Sequence, residues 1–391
     1  MKGSSLYIHV PYCAGKCIYC DFFSGGARGV DWDGFSSALV NELQTRRGEL
    51  TSRPDTLYIG GGTPSLMPGD CLCRLVAAAN ACVNPEGVWR EFTVEANPDD
   101  VTEERCEAWK SAGVNRVSLG VQSLNDVELS AIRRRHDSST AARAYECLAG
   151  HFQNISIDLM FGIPGQTIES WADTVRKALE MRPQHLSAYS LMLEEGTPLT
   201  VLHRQGRVEL PDDDVCDDMW RLLTSELKKA GYEHYEISNY CLPGYRSEHN
   251  SRYWSGFPYL GLGPSAHSYD GRSVRRYNPA NIKDYISRFS SLVDNCGHEC
   301  FYKEESLSEE ERIEEHILTR MRVREGIDKA RFCSEFGEER WSQLLRNARP
   351  FITDGKVTSS PGSLSLTEKG VRISDYIILN LCMFPAKKRS R

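Results

Sequence analysis

The sequence predicts an α/β fold on a parallel sheet, followed by a small C-terminal α+β domain of winged-helix type. Three observations carry that reading. Six short β-rich runs each lead into a stretch with helical periodicity, the unusual residues fall where those runs end, and from about residue 300 the alternation gives way to helices and a short hairpin. Repeated strand–helix–strand units imply right-handed crossovers and parallel strands. Six units fit a doubly wound sheet or an incomplete barrel, and periodicity does not separate the two.

The strands in order are LYIHV (6–10), TLYIG (56–60), FTVEA (92–96), RVSLGV (116–121), ISIDLMF (155–161) and HLSAYSLM (185–192). They are rich in β-branched and aromatic residues and bounded by glycine, proline and polar clusters. Amphipathic stretches such as DGFSSALVNELQTRRGEL (33–50) and TIESWADTVRKALEM (167–181) lie between them, the second opening on Thr167 as N-cap. The five loops CAGKCIYC, GGGTPS, EANPDD, VQS and GIPGQT follow strands one to five, so their residues should share one rim at the carboxyl ends.

A helix is expected near 213–230, then an aromatic, glycine- and histidine-rich segment (232–269) read as strands and loops closing one side of the sheet. Residues 1–295 form the expected core domain and 296–391 the small domain. The basic end PAKKRSR reads as solvated.

Composition narrows the function. Lysine and arginine number 47 against 54 acidic residues, a net charge of -7, which lacks the basic footprint of a nucleic-acid binder. The beginning, MKGSSLYIHV, has neither the apolar core nor the cleavage site of a signal peptide, and no stretch is long enough to span a bilayer. A cytoplasmic protein is expected. Its fourteen cysteines are then metal ligands or small buried hydrophobes rather than a disulfide framework.

Cys13, Cys17 and Cys20 sit on one loop with spacing C-x3-C-x2-C. A structural zinc site closes four positions, and no fourth ligand stands nearby. Three thiolates instead suit three corners of a [4Fe–4S] cluster, leaving one iron open. The alternative is a zinc-stabilised scaffold, which would be colourless. The run Gly60, Gly61, Gly62, Thr63 would let a strand end approach a ligand closely.

CAGKCIYC resembles the cluster motif of the radical S-adenosylmethionine (SAM) superfamily. The resemblance implies an incomplete (βα)6 barrel, with SAM on the open iron and cleaved to methionine and a 5′-deoxyadenosyl radical. It then narrows: YIHVPYC, GGGTPS, VEANP, SLGVQS, RRRHD, IDLMFGIPGQT, LSAYSLMLEEGTPL and GLGPSAHSY, with EGIDKARF and LTEKG in the small domain, resemble the oxygen-independent coproporphyrinogen III oxidase group and its HemW-type heme chaperones. Cys13, Cys17 and Cys20 would hold the cluster, and Tyr7, Tyr19, Gly61, Gly62, Thr63, Glu95, Gln122, Arg134 and Asp158 would line the SAM site. Arg133 or Arg135 is an alternative to Arg134, and Glu95 and Asp158 could instead cap loops.

Two departures point away from the decarboxylase. Phe22 stands where that enzyme resembles C-x3-C-x2-C-x-C, and the chain starts a few residues before its first strand. HNSRYW (249–254) resembles the H-N-x-x-Y-W motif of the heme-chaperone branch, which makes His249 a candidate heme contact against the plainer reading of a hydrogen-bonded structural histidine. CGHEC (296–300) matches nothing in the family and reads as a loop. The expected function is heme binding and delivery to acceptor heme proteins such as respiratory enzymes, with coproporphyrinogen III dehydrogenase as the alternative. A homodimer is compatible with the sequence and not required by it.

Overall fold

A computed structural model gives the structure, which describes residues 3–290 and 301–383. The six expected strands are β1 (Ser4–Val10), β2 (Pro54–Gly61), β3 (Glu91–Ala96), β4 (Arg116–Gln122), β5 (Ile155–Phe161) and β6 (His185–Ser190). They lie side by side in chain order and all run parallel. A doubly wound sheet would reverse its order at a switch point. This one does not, and the incomplete barrel is the architecture.

The aromatic segment does more than close one side. Its strand β7 (Asn239–Cys241) pairs antiparallel with β6 at one edge, whereas β8 (Tyr259–Leu262) pairs parallel with β1 at the other. Two further strands, β9 (His267–Tyr269) and β10 (Val274–Tyr277), extend that second edge.

Helices α1 (Trp32–Arg46), α2 (Gly69–Val83), α3 (Glu103–Ser111), α4 (Ser138–His151), α5 (Ile168–Met181) and α6 (Asp213–Lys229) cover the outer face. Asp31 caps α1, and Thr167 forms a reciprocal capping box with Ser170 at the start of α5. Because side chains alternate along a strand, Leu6, Ile8, Leu57, Ile59, Phe92, Val94, Val117, Leu119, Ile157 and Leu159 all fall on the helix side. There they join Phe35, Leu39, Leu75, Leu148 and Trp171 in one apolar cluster. Each such side chain contributes about 1.5–3 kcal/mol.

The inner face is polar. Ser5, Thr56, Glu91, Thr93, Arg116, Ser156 and His185 are buried there, with Glu95, Ser118 and Asp158 towards the carboxyl ends. HNSRYW, read as part of a loop, lies in helix α7 (Glu248–Trp254). The Glu91 carboxylate accepts from the backbone N–H groups of Glu248 and His249 and from the Ser247 hydroxyl, so an anion meets the start of that helix.

The chain divides into two compact units, the larger ending at Glu305. The expected boundary at 295/296 and CGHEC lie outside the described residues, as does the basic end. The smaller unit takes Ser306 onward with His234–Ile237 and Asn250–Gly256. It contains α8 (Glu309–Met321), α9 (Lys329–Phe336), α10 (Glu338–Thr353), a hairpin (Val357–Ser359 with Ser363–Leu366) and α11 (Ser374–Leu381). Three helices followed by a hairpin is the element order of a winged helix. Ile313, Ile317, Phe332, Trp341, Leu344, Leu364 and Ile377 form its core. Among the described residues no helix is long and apolar enough to cross a membrane.

Candidate functional site

The carboxyl ends of the parallel strands surround a cleft of about 410 Å³. Its cysteine loop is tied back to β1 by the amides of Gly25 and Ala27, which donate to Pro11 O and Cys13 O. Ile18, 4% exposed, pins the middle of the loop, and the Cys20 amide closes a turn on Cys17 O. Cys13, Cys17 and Cys20 are free thiols, half-buried, and all three line the cleft. Burial pushes the Cys20 thiol up, and the nearby Lys16 ammonium acts against that.

Glu95, Gln122, Arg134 and Asp158 line the same cleft, together with Gly61, Gly62, Thr63 and Tyr19. Arg134 is the arginine of its triplet that turns inward. It donates to Cys17 Sγ (3.3 Å), Gly120 O (2.7 Å) and Asn97 Oδ1, and its buried Nε has no hydrogen-bond partner. Arg135 instead pairs with Asp99 and Asp100. Gln122 ends β4 with φ 67°, at the irregularity where β4 and β5 change register. Gln122 shares the inward parity of Arg116 and Ser118, and the left-handed backbone breaks the strand there, at the edge of the cleft.

Two buried carboxylates face this space. Burial pushes Glu95 up to about 7, reinforced by Asp158, while the Tyr58 hydroxyl (2.8 Å) and the Gly61 amide (3.0 Å) donate to it and act the other way. Asp158 is also raised by burial, opposed by Ser187, Arg116, Ser118 and Ser156. Tyr19 sits against Ile132, Met160 and Ile163, its hydroxyl kept protonated by burial.

The glycines that line the cleft also meet a packing constraint of their own. A β-carbon on Gly61, whose φ is 116°, would stand 2.7 Å from the His9 ring, and one on Gly62 would stand 2.7 Å from Tyr12 O. The strand end therefore needs glycine to pack against β1 and its loop, whatever occupies the cleft.

Tyr7 and His249 are placed differently from expectation. Tyr7 is not among the cleft-lining residues. Its hydroxyl donates to His9 Nδ1 (2.9 Å), and since His9 Nε2 faces the Phe23 carbonyl (3.2 Å), Nε2 carries the proton of a neutral ring. Tyr7 thus supports the cysteine loop from behind. His249 is 0% exposed, with Nδ1 on Thr56 Oγ1 (2.9 Å) and its ring 5.1 Å from that of Tyr58, so it offers no surface to a macrocycle. Sequence reasoning missed Tyr58, which holds Glu95, and Asn97, which links Arg134 to Thr63. The placing of Tyr58 two residues before Gly60 on one face of β2, and of Asn97 directly after β3, was a usable signal.

Residues 7–178 match the radical SAM superfamily and residues 307–373 the HemN C-terminal domain. The heme chaperone HemW of Bacillus subtilis is 34% identical over 376 residues, covering 95% of this chain and 97% of that one. The chain belongs to the HemW family. HemW of Escherichia coli is 39% identical over 278 residues, 69% of this chain and 72% of its own. The structure of E. coli coproporphyrinogen III oxidase (HemN) superimposes with a TM-score of 0.80 at 22% identity, covering 98% and 91% of the two chains, which shows the shared fold.

Membership of the radical SAM superfamily carries with it a [4Fe–4S] cluster and SAM. The residues of this HemW-family chain fit that pair. Three free thiols of one loop share a cleft with a guanidinium that keeps a buried N–H in hand, and with a carboxylate poised near neutrality. That donor set suits a ligand carrying an ammonium, a carboxylate and ribose hydroxyls.

Proposed function

We propose that this chain is a heme chaperone that binds heme and delivers it to acceptor heme proteins in the cytoplasm. The observation that carries the reading is the match to HemW chaperones along nearly the whole of both chains. Cys13, Cys17 and Cys20 hold the cluster, and Gly61, Gly62, Thr63, Glu95, Gln122, Arg134, Asp158 and Tyr19 hold SAM, with Tyr7 acting through His9. When bound, cluster and SAM supply an electron and a reducible sulfonium. The chain's own part is to place them: Arg134 next to the Cys17 sulfur, Glu95 as acceptor once it ionises, and Asp158 held by Ser118.

Heme is seated at the cleft mouth in this reading. Phe22, 63% exposed, and Tyr189, 42% exposed, line it, and Met192 and Leu193 follow on the loop after β6. Exposed apolar side chains beside a polar lumen suit a flat macrocycle that must be released again. Phe22 also stands where the decarboxylase resemblance would have a cysteine, which favours heme carriage and argues against coproporphyrinogen oxidation.

The test is an anaerobic heme titration of the cluster-reconstituted protein, followed by absorbance, with coproporphyrinogen III turnover assayed on the same preparation. Stoichiometric heme binding without turnover, weakened in Phe22→Ala and Tyr189→Ala, is expected. Turnover without stable heme binding would overturn the reading.

A further inference from the structure

Away from the cleft, four metal-ligating side chains converge between α3 and α4. Glu103 and Cys106 stand three residues apart on α3, and Cys147 and His151 four apart on α4, so each helix presents two donors on one face. Cys106 Sγ lies 3.7 Å from Cys147 Sγ, Cys147 Sγ 3.5 Å from Glu103 Oε1, and His151 Nε2 2.6 Å from Glu103 Oε2. The donor atoms of Cys106, Cys147 and His151 all lie within 4.8 Å of one another.

The sulfur separation is far longer than the ~2.05 Å of a disulfide. It is close to the ~3.8 Å edge of a tetrahedron whose zinc–sulfur bonds are ~2.3 Å. Cys106 is fully buried, whereas the Glu103 side chain is 74% exposed, so the donor set closes from the core outward. A packed thiol pair and a surface Glu–His contact would each be ordinary alone. Here one carboxylate faces both, one oxygen to sulfur and the other to imidazole, although its position leaves it free to turn to solvent.

We propose that Glu103, Cys106, Cys147 and His151 form a four-coordinate structural zinc site that staples α3 to α4. Zinc accepts all four donors, whereas magnesium and calcium, which prefer oxygen ligands throughout, would find only the carboxylate suitable. Each thiol gives up its proton to solvent as its sulfur–zinc bond forms, and the metal keeps its oxidation state. The site uses none of the residues that line the cleft.

The full chain with its cluster is loaded with zinc anaerobically, dialysed against a weak chelator, and its metal content measured by mass spectrometry. Beside it run Cys106→Ser with Cys147→Ser, His151→Ala, and a chain carrying Cys13→Ser, Cys17→Ser and Cys20→Ser. One zinc per chain is expected in the parent and in the triple variant, with retention reduced by about tenfold or more in the other two. His151→Ala changes a residue near the surface and keeps the test decisive should the double-cysteine variant fail to fold. Cobalt in the triple variant should give thiolate charge-transfer and tetrahedral d–d absorption. Zinc absent from the parent, zinc lost only in the triple variant, or a Cys106–Cys147 disulfide in zinc-loaded protein would overturn the proposal.

Discussion

Replacing Glu95 by glutamine should make the protein more stable and its SAM site worse, and the stability gain should depend on pH. The carboxyl group sits between strands beside Asp158, and its pKa rises from 4.5 to about 7. A raised acid is neutral and harmless below its unfolded pKa. It costs the folded state free energy as pH climbs through the interval between the two values, because the unfolded chain ionises first. At 1.36 kcal/mol per unit the cost grows from about 1 kcal/mol at pH 5.5 to about 3 kcal/mol at pH 8. Glu95→Gln keeps the shape and removes this term. Urea unfolding of SAM-free protein across that range should therefore show parent and variant diverging by about 2 kcal/mol, the variant the more stable at pH 8. SAM affinity, measured on cluster-bearing protein at pH 8, should fall in the same variant. A stability difference that does not change with pH would refute the assignment of a strained, near-neutral carboxyl group.

Alanine at Cys13, Cys17 or Cys20 should each reduce iron and sulfide to background in reconstituted protein, whereas alanine at Cys73, which is exposed on α2, should leave both unchanged. Gly61→Ala forces a side chain into φ 116° and against His9, so a loss of about 2–4 kcal/mol is expected by chemical denaturation, with the cluster lost at lower urea than in the parent. Arg134→Gln should leave the cluster's absorbance intact and weaken SAM binding about tenfold or more, read by equilibrium dialysis, since the guanidinium bridges Cys17, Asn97 and Gly120. His249→Ala should lower stability by about 2–4 kcal/mol through the cavity beside Tyr58, with heme affinity unchanged where the variant is folded. Heme binding lost at unchanged stability would return that histidine to the heme.

The strand positions were legible because β-branched runs between punctuating loops have few other uses, and every observed strand from β1 to β6 lies within two residues of the run that announced it. Chain closure was not legible. A doubly wound sheet and a barrel share the same alternation, and only the order of pairing separates them. The three-cysteine loop stood out by its spacing and its resemblance to the radical SAM motif, yet Tyr58 and Asn97 were not picked out, since each acts through a partner on a neighbouring strand or loop: Glu95, 37 residues along, and Arg134, 37 residues along. His249 shows the converse difficulty. A histidine among aromatic residues reads alike whether it faces solvent or a core threonine, and its burial follows from α7 starting on Glu91. Cys106 and Cys147, 41 residues apart, gave no spacing to read at all.

The division of labour between the two faces of the sheet has a practical cost for anyone improving this protein. Folding is driven from the apolar outer layer, while the lumen gathers ionisable groups that the folded state tolerates at a loss. A library sorted by melting temperature would therefore enrich chains whose lumen has been neutralised. Thermostability and cargo handling would have to be selected together, or the hardiest clones would be empty shells.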